Sequence, residues 1–262
     1  MSSQCRHRPV TRLKFRGVVL LLAVLSAVAP SAALAGEESR LSQHSDDRTL
    51  LAMVGGLTAA DLSDEQLLVD KATRMLEAFA VDEGIRRRVH PLAKEAKALF
   101  VVPGLMKGAF LVGGAGGSGV LLVRDEATGA WSNPAFYTIG AASVGLQAGA
   151  ELSDLILIVR TPKGLEGFYQ ADFKIGADIS MAVGPEGGGV QLLGLTADLV
   201  GCARNKGVFA GIALDGAVIS VANDSNHAYY SKTVHATDIL IKHDVQNSRS
   251  AGLRNAAAAL MK

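Results

Sequence analysis

Residues 114–119 read GAGGSG, and the spacing Gly114-x-Gly116-x-x-Gly119 is that of a dinucleotide-binding turn. Such a turn needs a strand before it and a helix after it, because the free N–H groups of the helix N-terminus hold the pyrophosphate. Here GAFLVG supplies a strand, but VLLVRDEATGAW follows, a β-rich run and then a turn. An acidic residue is also needed about 20 positions on, and none lies between Glu126 and Glu151. The glycines therefore read as strand positions where a missing side chain lets another backbone approach. Acyl-transfer chemistry is no better supported. Ser118 sits among glycines without a strand–elbow–helix context, and no G-x-S-x-G occurs. His227, His235 and His243 are spaced by eight, not as an i, i+4 ligand pair. The polar stretch NDSNH, residues 223–227, lacks the ligand spacing of a calcium loop and reads as a turn. The expectation is a non-enzymatic protein with no metal site and no cofactor.

The remaining chemistry is charge. Residues 84–110 hold Arg86, Arg87, Arg88, Lys94, Lys97 and Lys107 against one acid, Glu95. Arginine grips phosphate bidentately and lysine holds it as a point charge. The run adjoins the apolar LFVVPGLMKGAFLVG. Cations beside an apolar contact are the pattern of an interfacial binder, each cation contributing about 1 kcal/mol near an anionic surface. A plain solvated helix face is the competing reading. Trp131 suits either a lipid interface or the core.

Elements must hold these groups in place. Ser63 and Gln66 make a capping-box pattern, and Leu68, Ala72, Met75, Leu76 and Phe79 recur at helical spacing. A second helix is expected from near Asp82 toward Leu99, kinked or restarted at Pro91. From Gly104 to Gly216 the chain holds 23 of its 29 glycines. Short apolar runs there alternate with turn signals such as Asp125–Gly129 and Asp215-Gly216, with little helix between, which opposes a βαβ sheet. One short helix is expected at TPKGLEGFYQ, with Thr161 as cap and Pro162 in the first turn. TDILI and SRSAGLRNAAAALM return to helix.

The N-terminus carries its own signal. Arg6, Arg8, Arg12, Lys14 and Arg16 precede an apolar run from Val18 to Ala29 and an A-x-A site at Ala33–Ala35. These describe a secretory signal peptide cleaved after Ala35, its apolar run too short to span a bilayer. Removal leaves 21 of the 26 basic residues against 25 acidic ones, a formal −4, which excludes a nucleic-acid binder. Cys202 is then the lone cysteine and reads as a small buried residue. The organisation is a signal peptide at 1–35, a leader and apolar segment at 36–60, and one domain at 61–262. Within it, helices occupy 63–99, a β-rich region 100–222 and a helical tail 235–262. The apolar segment RTLLAMVGGLTAA is either a helix packed on the core or a membrane-touching segment.

Three groups of residues carry a family resemblance. One is Gly-x-Gly ahead of a strand, with the Gly129-x-Trp131-Ser132-x-Pro134 turn. The next is Gly145-x-Gln147-x-Gly149-Ala150-Glu151. The last holds Lys206-Gly207, Gly211, Asp215-Gly216, Asn226 and Tyr229-Tyr230. Over about residues 95–245 the chain resembles the SYLF domain family, as an exported bacterial member. The resemblance implies a lipid-binding module. Eukaryotic members bind phosphoinositides or phosphatidic acid, and some yeast relatives bind and bundle actin. An exported chain meets neither cytoplasmic actin nor cytoplasmic phosphoinositides. The expected fold is α+β, with N-terminal helices packed on a Gly-rich antiparallel β-sheet or barrel and a short C-terminal helix. The expected partner is an anionic phospholipid membrane surface, contacted by Arg86, Arg87, Arg88, Lys94, Lys97 and Lys107. An envelope structural or protein-interaction domain is the alternative, and the expected location is periplasmic.

Overall fold

The computed structural model describes residues 63–110, 112–144, 149–183, 197–205, 208–210 and 214–261. The expected signal peptide and the 36–60 segment lie outside them. Among the described residues, no helix is long and apolar enough to cross a membrane.

Helix α1 (Asp64–Val81) starts where expected: the Ser63 hydroxyl accepts the Gln66 N–H at 3.2 Å. Its buried stripe runs through Leu67, Val69, Ala72, Met75, Leu76 and Phe79, with Leu68 only half-buried. Helix α2 (Glu83–Ala93) contains Pro91 and does not continue to Leu99. Strand β1 already begins at Ala98, because ALFVV pairs on both sides as a central strand.

Nine strands follow among the described residues: β1 (Ala98–Phe110), β2 (Val112–Val123), β3 (Ala135–Val144), β4 (Gly149–Val159), β5 (Asp172–Lys174), β6 (Met181–Val183), β7 (Leu199–Asn205), β8 (Val208–Ala210) and β9 (Val218–Val221). They form one sheet in the order β5-β9-β3-β2-β1-β4-β7-β6, with β8 paired to β7. Every pairing is antiparallel except β6 with β7, which is parallel. Strands β5 and β6 stand at opposite ends of this order, yet only residues 175–180 separate them in sequence. At about 3.5 Å per residue, that link forces the sheet to curl until its edges approach. The expected α+β class, with a Gly-rich sheet curled toward a barrel, is what the chain forms.

The curl has two apolar layers. One face gathers Phe100, Val102, Leu105, Tyr137, Leu155, Leu157, Phe168, Phe173 and Ile219. The other gathers Leu99, Val101, Val120, Leu122, Phe136, Ile156, Ile158 and Cys202 under α1 and the C-terminal helix. Phe168 plugs the first layer, with ring centroids 5.5 Å from Phe100, 5.5 Å from Tyr137 and 4.8 Å from Phe173. The Tyr137 hydroxyl donates to the Phe168 carbonyl at 2.5 Å. Trp131, only 6% exposed, packs in the second layer and does not project as an interfacial anchor.

Helix α3 (Pro162–Gly167) is the short helix expected there, with Thr161 accepting from Gly164 N–H at 3.0 Å. Residues 223–227 differ from expectation. They open helix α4 (Asn223–Tyr230), not a turn. Tertiary bonds to buried Asn226 override the local turn preference of Asn, Asp and Ser. Helix α5 (Ala236–Leu240), a 3-10 turn (Ser248–Ser250) and helix α6 (Ala251–Ala259) complete the chain.

The GAGGSG motif lies wholly within β2, bonded to β1 and β3, with no helix after it. A Cβ on Gly119 would stand 2.7 Å from Phe100 Cε2, the Val101 carbonyl oxygen and Val102 Cγ2. Gly140 faces open space. Gly119→Ala is therefore expected to destabilise the fold by about 1–3 kcal/mol, whereas Gly140→Ala leaves it unchanged or slightly firmer. Urea denaturation of both variants measures the contrast, and equal effects would contradict this packing.

Candidate functional site

The six cations singled out in the sequence do not form one patch. Arg86, Arg87 and Arg88 occupy consecutive positions on α2. A helix advances about 100° per residue, so three such positions fan across more than half its circumference. Lys94 is exposed in the turn after α2. Lys97 is about a quarter exposed and ion-paired with Glu126. Lys107 lies ten residues further along β1, about 30 Å away at strand rise. Its backbone position stands directly opposite Glu151 of β4.

Sheet pairing brings up cations that the linear run did not contain. Ala98 is opposite Val123 on one side and Val159 on the other. The next residues out, Arg124 and Arg160, therefore flank the α2–β1 turn. Arg124 Nη1 donates to the Lys94 carbonyl at 3.1 Å, and Arg160 Nη2 meets Glu95 Oε2 at 3.1 Å. Lys94, Lys97, Arg124 and Arg160 thus share this end of the sheet with Glu95, Asp125 and Glu126. Its charge is nearly balanced locally, and the excess rests on Arg86–Arg88. A further cationic group, Arg74, Arg249 and Arg254, surrounds Asp70 and the Tyr229 phenol between α1 and the C-terminal segment. Burial is the main cause holding that carboxyl and that phenol above their ordinary ranges. Arg124 and Arg160 could have been found only by pairing the strands first.

Several of the residues that carry the family resemblance do structural work. Ser132 Oγ accepts the Val123 N–H at 3.0 Å and donates to the Asn133 carbonyl at 2.9 Å. The Tyr230 hydroxyl donates to the Pro134 carbonyl at 2.7 Å. Fully buried Asn226 accepts the Phe136 N–H at 2.9 Å and donates back to its carbonyl at 3.4 Å. Asn133 Oδ1 accepts from Ser250 Oγ at 2.8 Å and from Asn247 N–H at 3.3 Å. Asn247 Nδ2 in turn donates to the Tyr229 carbonyl at 3.1 Å. Residues 131–137 and 226–250 are therefore one hydrogen-bonded latch. Gly145, Gln147, Lys206, Gly207 and Gly211 lie outside the described residues.

A second polar node pins the β4–α3 corner. Asp198 accepts Thr161 Oγ1 at 2.5 Å, Ser180 Oγ at 2.7 Å and Ser180 N–H at 3.0 Å, with Lys163 Nζ at 3.8 Å. Burial pushes the carboxyl up, but these bonds and the ammonium together outweigh it and hold it below its ordinary value. A depressed folded pKa means stability that is present above the unfolded value near 3.8 and lost as the pH falls through the folded value. Asp198→Asn is expected to lower stability at neutral pH and to flatten its decline below about pH 4. Thermal melts of both proteins across pH 7 to 2 measure this, and parallel profiles would contradict it.

The family model described as Ysc84, Las17-binding protein actin regulator, matches residues 140–261. The SH3 domain-containing YSC84-like protein 1 of Bos taurus is 35% identical over 156 residues, 58% of this chain and 45% of its own length. The human protein of the same name is 33% identical over 156 residues, 58% of this chain and 44% of its own. LAS seventeen-binding protein 3 of Saccharomyces cerevisiae is 28% identical over 180 residues, 65% of this chain and 39% of its own. The chain thus spans less than half the length of these curated relatives. Over residues 140–261 the chain is similar to the Ysc84 family, the SYLF-type domain that its sequence motifs resemble.

Proposed function

We propose that this chain is a non-enzymatic binding module that docks on an anionic phospholipid surface, led by α2 and the turn after it. One observation carries the reading. Residues 84–110 hold six cations against a single acid on a processed chain of net −4. Lys97 is neutralised by Glu126 and Lys107 stands at the far end of β1, so Arg86, Arg87, Arg88 and Lys94 supply the attraction. Cations within a Debye length of an anionic bilayer contribute about 1 kcal/mol each, enough when several act with apolar contact. The apolar stretch at 48–60 supplies that contact. In this reading the N-terminal signal exports the module to an envelope membrane, in the periplasm.

The second reading is a protein-interaction domain. It is favoured by the relatives' names, which describe a binder of LAS seventeen in yeast and SH3-containing proteins in mammals. Co-sedimentation of residues 36–262 with liposomes separates the two. Binding to phosphatidylglycerol vesicles that weakens with salt, and is absent from phosphatidylcholine vesicles, is expected. Reversing Arg86, Arg87, Arg88 and Lys94 to Glu should abolish it with little change in melting temperature. Recovery in the supernatant under every condition would favour the interaction domain. N-terminal sequencing of the exported product is expected to begin at Gly36.

A further inference from the structure

A cavity of about 260 Å3 opens beside the β5–β9 edge of the sheet. Its polar wall is Tyr169, Gln170, Asn223, His235 and Thr237. Three independent pieces of chain place these groups. Tyr169 and Gln170 leave the end of α3, their N–H groups donating to the Glu166 and Gly167 carbonyls at 3.0 and 3.2 Å. Asn223 opens α4 directly after β9, and His235 precedes α5.

The wall has a definite chemical character. Among the described residues, the side chains of Tyr169, Gln170, Asn223 and Thr237 make no hydrogen bond to the protein. The His235 carbonyl accepts the Asp238 N–H at 3.0 Å, while the Asp238 carboxylate accepts the His235 N–H at 2.9 Å. The neutral imidazole offers one donor nitrogen and one acceptor nitrogen. Burial, with the Glu166 carboxylate adding to it, keeps the Tyr169 phenol protonated. Two amides, two hydroxyls and one imidazole therefore set donors and acceptors side by side.

No Lys or Arg is among the wall residues, which disfavours a phosphate or carboxylate, and no Asp or Glu is among them to hold a cation. The small residues Ala171, Val221 and Ala236 give too little apolar surface to favour a lipid tail. Ligand hydroxyls, each both donor and acceptor, match such a wall. The volume falls just below the usual range for small-molecule pockets and suits a single ring. We propose that this cavity binds a neutral polyhydroxylated ligand of monosaccharide size, a site separate from the cations of α2.

The test titrates the full-length chain, without lipid, with N-acetyl-D-glucosamine and with D-glucose. Calorimetry and saturation-transfer NMR read the binding. Glycerol 3-phosphate and octanoate serve as charged and apolar comparisons. Binding of at least one sugar with a Kd of about 1 mM is expected. Asn223→Ala and Tyr169→Phe should each weaken it roughly tenfold, the loss of about one hydrogen bond. Tyr169→Phe keeps the ring and its packing, so its melting temperature should match the parent. The proposal is overturned if neither sugar binds at millimolar concentration, if both substitutions leave binding unchanged, or if glycerol 3-phosphate or octanoate binds more tightly than either sugar. None of these outcomes depends on liposome binding.

Discussion

Strand β1 is buried on both faces, and much of the structure follows from that. An antiparallel sheet usually shows one face to water and alternates apolar with polar residues. In β1 the run Ala98–Val102 is wholly apolar, and all five residues are inaccessible to solvent. Phe100 and Val102 face the layer plugged by Phe168, while Leu99 and Val101 face α1 and α6. Its neighbour β4 repeats the pattern from Leu155 to Val159. Burying a large aliphatic or aromatic side chain contributes about 1.5–3 kcal/mol, so this central pair supplies a large share of the folding free energy. It also fixes register, since a slip of one residue would exchange the two layers.

Two departures from regular strand geometry accommodate that double burial. Pro103-Gly104 inserts one extra residue in β1 against both neighbours, between Val101 and Met106 on the β2 side and between Val102 and Leu105 on the β4 side. Gly104 takes the left-handed φ of +70° that such a bulge uses, and its N–H donates to Asp154 Oδ1 at 3.2 Å. A proline in a central strand is otherwise excluded, because it cannot donate to the ladder. The bulge also brings Leu105 onto the same face as Val102 despite their odd spacing. Gly119 is the second device: its missing side chain leaves room for Phe100 and Val102. The dinucleotide-like spacing in β2 is therefore a by-product of packing.

The fold was more legible in the sequence than the site. Helix α1, with its Ser63 cap, and helix α3, with its Thr161 cap, rest on contacts three residues apart, which a linear reading sees. The Gly-rich strands were visible as short apolar runs between turns. Misreadings occurred where distant contacts decide. Residues 94–99 looked like a helix continuing past Pro91, but pairing with both β2 and β4 draws Ala98 and its successors into a strand. Residues 223–227 looked like a turn, until Asn226 is seen holding both polar groups of the Phe136 backbone ninety residues away. The cationic run failed as a single patch for the same reason. Strand rise carries Lys107 away, while pairing brings Arg124 and Arg160 in.

The residues that carry the family resemblance and the groups proposed to bind also occupy different parts of the molecule. Ser132, Pro134, Asn226 and Tyr230 help latch the C-terminal segment onto the sheet. Arg86–Arg88, Lys94 and the Tyr169–His235 wall belong to surface segments that the latch positions but does not constrain chemically. A surface cation can be exchanged with little effect on stability, usually within about 0.5 kcal/mol. Removing a buried partner such as Asn226 strands a backbone N–H, at about 1–3 kcal/mol. A change in the latch therefore costs stability, whereas a change among the surface cations alters charge with little effect on the fold.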